Sequence, residues 1–175
     1  MPYYFVKVIV MGDPYINKKE IIQPFLDKYE WSRNFPTPLS TEFYLFPSIV
    51  QINEAELKII FFIPRFEVKE GWKREFYEKT TAAIFIYDTG LISTLEYLSD
   101  VISEANQFLP TDIPKILCGI QYSSENKASF LNETEKLVKE YSLLNYELKK
   151  DDATQIEEML LNLTEKILKT RQKAA

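Results

Sequence analysis

Apolar positions along this chain follow two alternating rhythms. Short, dense runs of β-branched and aromatic residues are separated by stretches in which apolar side chains recur every three or four positions. Phe5-Val6-Lys7-Val8-Ile9-Val10-Met11 is of the first kind and predicts a central strand, closed by Gly12-Asp13-Pro14. Ile21, Ile22, Phe25, Leu26 and Tyr29 then share one helical face. Residues 31–40, with Pro36 and Pro38 among polar neighbours, read as a loop. Residues 42–52 and 56–63 are strand-like runs joined across Asn53-Glu54, a hairpin that makes this pair antiparallel. Pro47 puts the first of the two at a sheet edge.

The same alternation continues to the end of the chain. Residues 64–70 read as irregular and 71–79 as a short helix. Ala82-Ala83-Ile84-Phe85-Ile86-Tyr87 is another buried strand. Ser93 with Glu96 has the spacing of a capping box. The helix behind it places Leu95, Leu98, Ile102, Ala105 and Leu109 on one face. Pro114 precedes the strand Ile116-Leu117-Cys118-Gly119-Ile120. Asn132 with Glu135 suggests a second cap, followed by a helix with Leu137, Val138 and Tyr141 inward. Residues 144–148 alternate as a short edge strand, and Asp152 with Gln155 starts a last helix facing Ile156, Leu160, Leu163 and Ile167 inward. The order β-α-β-β-α-β-α-β-α-β-α predicts an α/β fold. Its sheet has six strands, mostly parallel with one antiparallel strand, flanked by about five helices.

Composition narrows the chemistry. The 175 residues are expected to form one domain over 1–175, with a C-terminal tail from about 170. A chain of this length buries roughly 70% of its unfolded surface, enough for a core without staples. There is no histidine, which removes histidine bases, metal ligands and pH switches. The single cysteine, Cys118, excludes a multi-thiolate zinc site and an internal disulfide. Its strand context predicts an inert small hydrophobe. A net charge of −5 argues against nucleic acid as a partner. No apolar run reaches the ~18 residues of a membrane span. Met1-Pro2-Tyr3-Tyr4 does not resemble a signal peptide, Pro2 precludes myristoylation, and Arg171-Gln172-Lys173-Ala174-Ala175 offers no prenylatable cysteine. The expectation is a soluble cytoplasmic protein without a lipid anchor and with its oligomeric state open.

Several segments, in order, resemble the Ras/Rab superfamily of small GTPases across residues 4–170. Phe5-Val6-Lys7-Val8-Ile9-Val10-Met11-Gly12 is similar to that family's first strand running into its phosphate loop. Residues 74–88, ending in Ile86-Tyr87-Asp88, resemble the segment after switch II. Tyr146-Glu147 resembles the last strand, and Asp152-Ala153-Thr154-Gln155-Ile156-Glu157-Glu158-Met159-Leu160 the start of the last helix. The resemblance implies a P-loop NTPase fold of the small-GTPase kind.

The motifs that would bind nucleotide are altered. A phosphate loop reads Gly-x4-Gly-Lys-Ser/Thr, with backbone N–H groups around the phosphates, Lys on the β/γ-phosphates and a hydroxyl on Mg²⁺. Here the slot reads Gly12-Asp13-Pro14-Tyr15-Ile16-Asn17-Lys18-Lys19. Gly12 and Lys18 remain. Asn17 replaces the second Gly, a change tolerable because Asn visits left-handed backbone. Lys19 replaces the hydroxyl, Pro14 lacks a donor, and Asp13 adds negative charge. The Asp-x-x-Gly-Gln slot is Phe62-Ile63-Pro64-Arg65-Phe66, the Asn-Lys-x-Asp slot is Ile120-Gln121-Tyr122-Ser123, and the Ser-Ala-Lys slot is Lys149-Lys150-Asp151. Thr37 and Thr41 are candidates for switch I.

The resemblance with these losses implies a pseudo-GTPase: a non-catalytic interaction or scaffold module, in trafficking or cytoskeletal regulation, with no cofactor. The alternative is a divergent small GTPase binding GTP or GDP weakly or without magnesium through Gly12, Asn17, Lys18 and Lys19. Lys18 and Lys19, with Arg65, are also candidates for holding an anion at a helix N-terminus, against a plain solvated basic patch. Phe66, Trp72, Phe76 and Tyr77, with Arg65, Phe43 and Tyr44, form the candidate surface for a protein partner. The competing reading folds those aromatics inward over the empty site. A third class, another α/β enzyme with Asp13, Lys18 and Asp88 converging, lacks a nucleophile–base pair.

Overall fold

The computed structural model of the chain describes residues 1–31, 43–122 and 130–174. Its elements run β1 (Tyr3–Gly12), α1 (Lys18–Lys28), β2 (Phe43–Ile52), β3 (Ala55–Pro64), α2 (Lys73–Tyr77), β4 (Ala82–Asp88), α3 (Ile92–Phe108), β5 (Lys115–Gln121), α4 (Leu131–Tyr141), β6 (Leu144–Lys149) and α5 (Ala153–Ala174). The strands form one sheet in the order β2-β3-β1-β4-β5-β6. Every pairing is parallel except β2 with β3. The predicted class, element order and single antiparallel strand are therefore present.

The hairpin turns through Asn53 (φ 47°) and Glu54 (φ 61°), the double left-handed geometry that matches strand twist. Pro47 lies on β2 at the sheet edge, where its missing N–H breaks no interior ladder. The chain after α1 partly covers that edge, since Ile49 donates its N–H to the Tyr29 carbonyl at 2.9 Å.

Each sheet face buries its own layer. Val6, Val8 and Val10, with Ile59 and Phe61, pack against Ile21, Ile22 and Phe25 of α1 and Ile156, Leu160 and Leu163 of α5. On the other face Ile9, Met11, Phe85 and Leu117 meet Phe76 and Tyr77 of α2, Leu95, Leu98 and Ile102 of α3, and Leu137 of α4. Each such side chain contributes about 1.5–3 kcal/mol through burial. That exceeds the few tenths per residue that separate helix propensities, so packing rather than propensity fixes the short helices.

Local differences from the sequence reading have local causes. The helix expected over 71–79 is a 3₁₀ turn, Glu70–Trp72, followed by the five-residue α2. It stops because Glu78 turns extended and Lys79 takes φ 58°. The Lys7 ammonium accounts for the sharp end. It donates to the carbonyls of Phe76, Glu78 (3.0 Å) and Glu75 (3.4 Å), and lies 4.5 Å from the Phe62 ring centroid. These are carbonyls that a longer helix would use internally.

Neither Ser93 nor Asn132 caps a helix. Leu91 and Phe130 occupy the N-cap positions, without side-chain caps. Threonines one turn inside do related work. Thr94 Oγ1 donates to the Leu91 carbonyl (2.7 Å) and accepts from the Asp88 N–H (2.9 Å), and Thr134 Oγ1 reaches the Phe130 carbonyl (3.0 Å). The third expected cap is present: Asp152 Oδ1 accepts the Gln155 N–H at 3.0 Å. No helix among the described residues is long and apolar enough to cross a membrane.

Candidate functional site

β1 lies between β3 and β4. The chain leaves β1 toward one side of the sheet and returns from β3 to the other. Such a reversal opens a crevice at the carboxyl ends of the strands, here bordered by Gly12 and Asp88. Gly12 is required by space, because a Cβ there would sit 2.5 Å from the Ile86 carbonyl oxygen.

Asp13 organises the loop that follows. Its Oδ1 accepts the Tyr15 N–H at 2.9 Å, and its carbonyl accepts the Ile16 N–H at 3.0 Å. Pro14 has no N–H to offer. Lys18 is 6% exposed. Its ammonium donates to the carbonyls of Asp13 (2.9 Å) and Ile16 (3.3 Å). Burial lowers the Lys18 pKa to about 8, against the opposing attraction of Asp13. Asn17 caps α1, with Oδ1 accepting the Glu20 N–H at 3.3 Å. Its φ is −76°, so the left-handed backbone that motivated Asn in this slot is not used. Lys19 is exposed and lies 5.1 Å from the Phe46 ring centroid.

Across the groove from this loop, Arg65 lies 4.3 Å from the Tyr44 ring centroid. Phe66 is 71% exposed, and Trp72 (46%) and Tyr44 (47%) are about half exposed. Phe76 and Tyr77 are fully buried, which removes them from the candidate surface. Phe43 is half-buried and stacks on Phe76 with ring centroids 5.0 Å apart. Tyr77 stacks on Phe108 at 5.4 Å and donates to Glu104 at 3.4 Å, and its pKa is raised chiefly by burial. The aromatics are split along the chain: Phe66 and Trp72 are exposed, while Phe76 and Tyr77 extend the core.

A third part of the crevice lies between β5 and the β6–α5 turn. A cavity of about 600 Å³ is lined there by Tyr122, Lys150 and Asp152 among others. Lys150 pairs with Glu20 at 3.0 Å, tying this turn to α1, and lies 5.4 Å from the Tyr122 ring. Tyr122 has its pKa pushed up to about 12, mainly by burial and also by the Asp88 charge. Asp88 makes a turn, its Oδ1 accepting the Gly90 N–H at 2.8 Å. Among the described residues, no hydrogen bond joins Asp88 to Asp13 or Lys18. Cys118 is wholly buried, and burial pushes its thiol pKa to about 12.

Comparison with known proteins agrees with this geometry. The profile of the Ras family matches residues 7–169. The chain belongs to the Ras family. Among curated proteins it is 24% identical to the Ras-related protein RabQ of Dictyostelium discoideum over 169 residues, covering 96% of this chain and 82% of that one. It is 21% identical to the Ras-related protein Rab-15 of Rattus norvegicus and of Homo sapiens, again over 169 residues, covering 95% of this chain and 78% of each.

A Ras-family fold implies a magnesium-bound guanine nucleotide in this crevice. Among the described residues, several positions depart from what that group needs. The Tyr15 and Ile16 amides, which a phosphate would need, are taken by Asp13. Lys18, in the slot of the phosphate-binding lysine, donates to the loop's own carbonyls. Lys19, a cation, stands where the family places the metal's hydroxyl ligand. The Phe62–Phe66 segment, numbered 62–66, supplies no carboxylate to the metal. Thr37, Thr41 and Ser123 lie outside the described residues. The sequence reading missed Asp13 as an organiser, although an Asp-Pro pair at a strand end is itself a turn signal. It also missed the Glu20–Lys150 tie, which joins residues far apart in the chain.

Proposed function

We propose that this Ras-family chain is a pseudo-GTPase that acts as a non-catalytic protein-interaction module. The observation that supports this reading most is the internally bonded loop: Asp13 accepts the Tyr15 and Ile16 amides, and the Lys18 ammonium donates to the Asp13 and Ile16 carbonyls. Asp13 adds repulsion, because a carboxylate and a phosphate cannot share one set of donors cheaply. The binding surface is the exposed part of the switch-like region: Tyr44, Arg65, Phe66 and Trp72. By analogy with its family alone, the setting is trafficking or cytoskeletal regulation in the cytoplasm.

A second reading is weak, magnesium-independent binding of GTP or GDP. It is favoured by Gly12 and Lys18, which keep their family slots. Calorimetric titration with GTP, GDP and ATP, with and without magnesium, separates the two. The module reading expects no binding at high micromolar ligand in either buffer. Micromolar, guanine-specific binding refutes it. Binding abolished by Lys18→Ala and indifferent to magnesium establishes the second reading instead.

A further inference from the structure

The groove between the degenerate loop and the ends of β2 and β3 has a charge the rest of the chain does not share. It is about 490 Å³ and is lined by Lys18, Lys19 and Arg65, by Tyr15, Tyr44 and Phe46, and by Asn17 and apolar residues, with no acidic side chain among the described lining residues. The whole chain carries a net charge of −5. Lys19 rests on Phe46 and Arg65 on Tyr44, at 5.1 and 4.3 Å from the ring centroids. Among the described residues neither cation makes an ion pair. Tyr15, at the loop's tip, is 97% exposed, and Ile63 forms part of the floor.

Aromatic support matters to what this groove can hold. A ring beneath a cation limits its rotamers and leaves its outer donors free. Ordering two long side chains in advance removes part of the entropy a partner would otherwise lose. Lys18 faces inward and is committed to the loop. Lys19 and Arg65 are therefore the two cations offered outward, on opposite banks, with aromatic and aliphatic surface between them.

We propose that this groove docks an acidic segment of a partner protein, with carboxylates on Lys19 and Arg65 and an apolar side chain between them. The inference rests on the module reading and names the partner's chemistry. Arg65 suits a bidentate carboxylate because its planar fork matches that geometry. The excess of cations among the described lining residues sets specificity, since an anionic segment meets opposite charge there and a basic one meets like charge.

The test uses the full chain and fluorescein-labelled ten-residue peptides alternating glutamate with leucine, read by anisotropy. Matched peptides replace glutamate by glutamine or by lysine. The glutamate peptide is expected to bind at least about tenfold more tightly than either, a factor that two outward charges readily supply. The double variant K19E/R65E should lose that preference. Reversal of two distant exposed lysines on α5, Lys169 and Lys173, should leave it intact. Circular dichroism and melting of each variant confirm that the fold is retained.

Equal binding of the three peptides overturns the proposal, as does a preference that survives K19E/R65E. So does a preference lost equally on reversing Lys169 and Lys173, which marks nonspecific attraction. Adding GTP to the same titration separates the two levels. If the peptide preference is absent and GTP does not bind, the acidic-partner inference falls and the module reading stands. If GTP binds at micromolar concentration, the module reading falls.

Discussion

Phe76→Ala separates the core reading of the switch-like aromatics from the surface reading more sharply than any other change. Phe76 is 1% exposed. Its ring stacks on Phe43 at 5.0 Å, meets Tyr77 edge-on at 5.0 Å and lies 5.7 Å from the Lys7 ammonium. Removing it takes away a buried aromatic and leaves a cavity beneath a five-residue helix, at a cost of about 3–5 kcal/mol. Against a total stability of roughly 5–15 kcal/mol, that is a large share. For a chain of this size it lowers the melting temperature by roughly 6–20 °C. Urea unfolding, with the slope compared to the parent, gives the free energy directly. Phe66→Ala is the matched control. At 71% exposure it should change stability by less than about 0.5 kcal/mol. A loss below about 1 kcal/mol for Phe76→Ala, or an equal loss for both, would refute the packing argument.

The remaining predictions concern charge, space and reactivity. Burial lowers Lys7 and Lys18 to about 8, so between there and the unfolded value near 10.5 the unfolded chain binds more protons and stability rises with pH. Tyr87 and Tyr122, raised to about 12, act the other way above about pH 10, where unfolded tyrosines ionise. The melting temperature should therefore climb from pH 8, peak near pH 10 and fall beyond, with a shallower climb in Lys18→Met. Gly12→Ala forces a Cβ to 2.5 Å from the Ile86 oxygen and should cost about 1–3 kcal/mol by chemical denaturation. Cys118 should ignore a thiol reagent in the native protein at pH 8 and react once urea unfolds it, because its thiol is buried and its pKa raised to about 12.

Much of this was legible in the chain because the signals were local. The runs through β1, β4 and β5 are apolar on both faces, and only a covered central strand tolerates that. Pro47 marked an edge because proline removes a ladder donor. The failures mark the places where tertiary contacts decide. Ser93 and Asn132 have cap spacing, but the N-caps, Leu91 and Phe130, each lie two residues earlier. Phe66 and Phe76 are chemically identical. One falls in the irregular stretch before α2 and stays in water, while the other falls on the face of α2 that meets α3. No period distinguishes them, since the intervening turn breaks the register. In the candidate site, the altered slots were plain from residue identity. The use Asp13 and Lys18 make of the vacated loop depends on backbone direction, which identity alone does not carry.

A ligand moves a conformational equilibrium only by its differential affinity for the two states. In a nucleotide switch, the amides and the lysine of the phosphate loop gain their partners when ligand arrives, so the loop's energy depends on occupancy. Here Asp13 supplies the anion from within the chain, and the Asp13 and Ile16 carbonyls supply the acceptors for Lys18. Under the proposed reading, the loop's partners come from the chain itself and do not depend on nucleotide. Lys19 and Arg65 lie over Phe46 and Tyr44 beside that loop. Control would have to act on the partner's abundance or on its charge. For an acidic segment, added phosphate strengthens docking at these cations and neutralised carboxylates weaken it. On the proposed reading, such a surface would read the state of its partner instead of announcing its own.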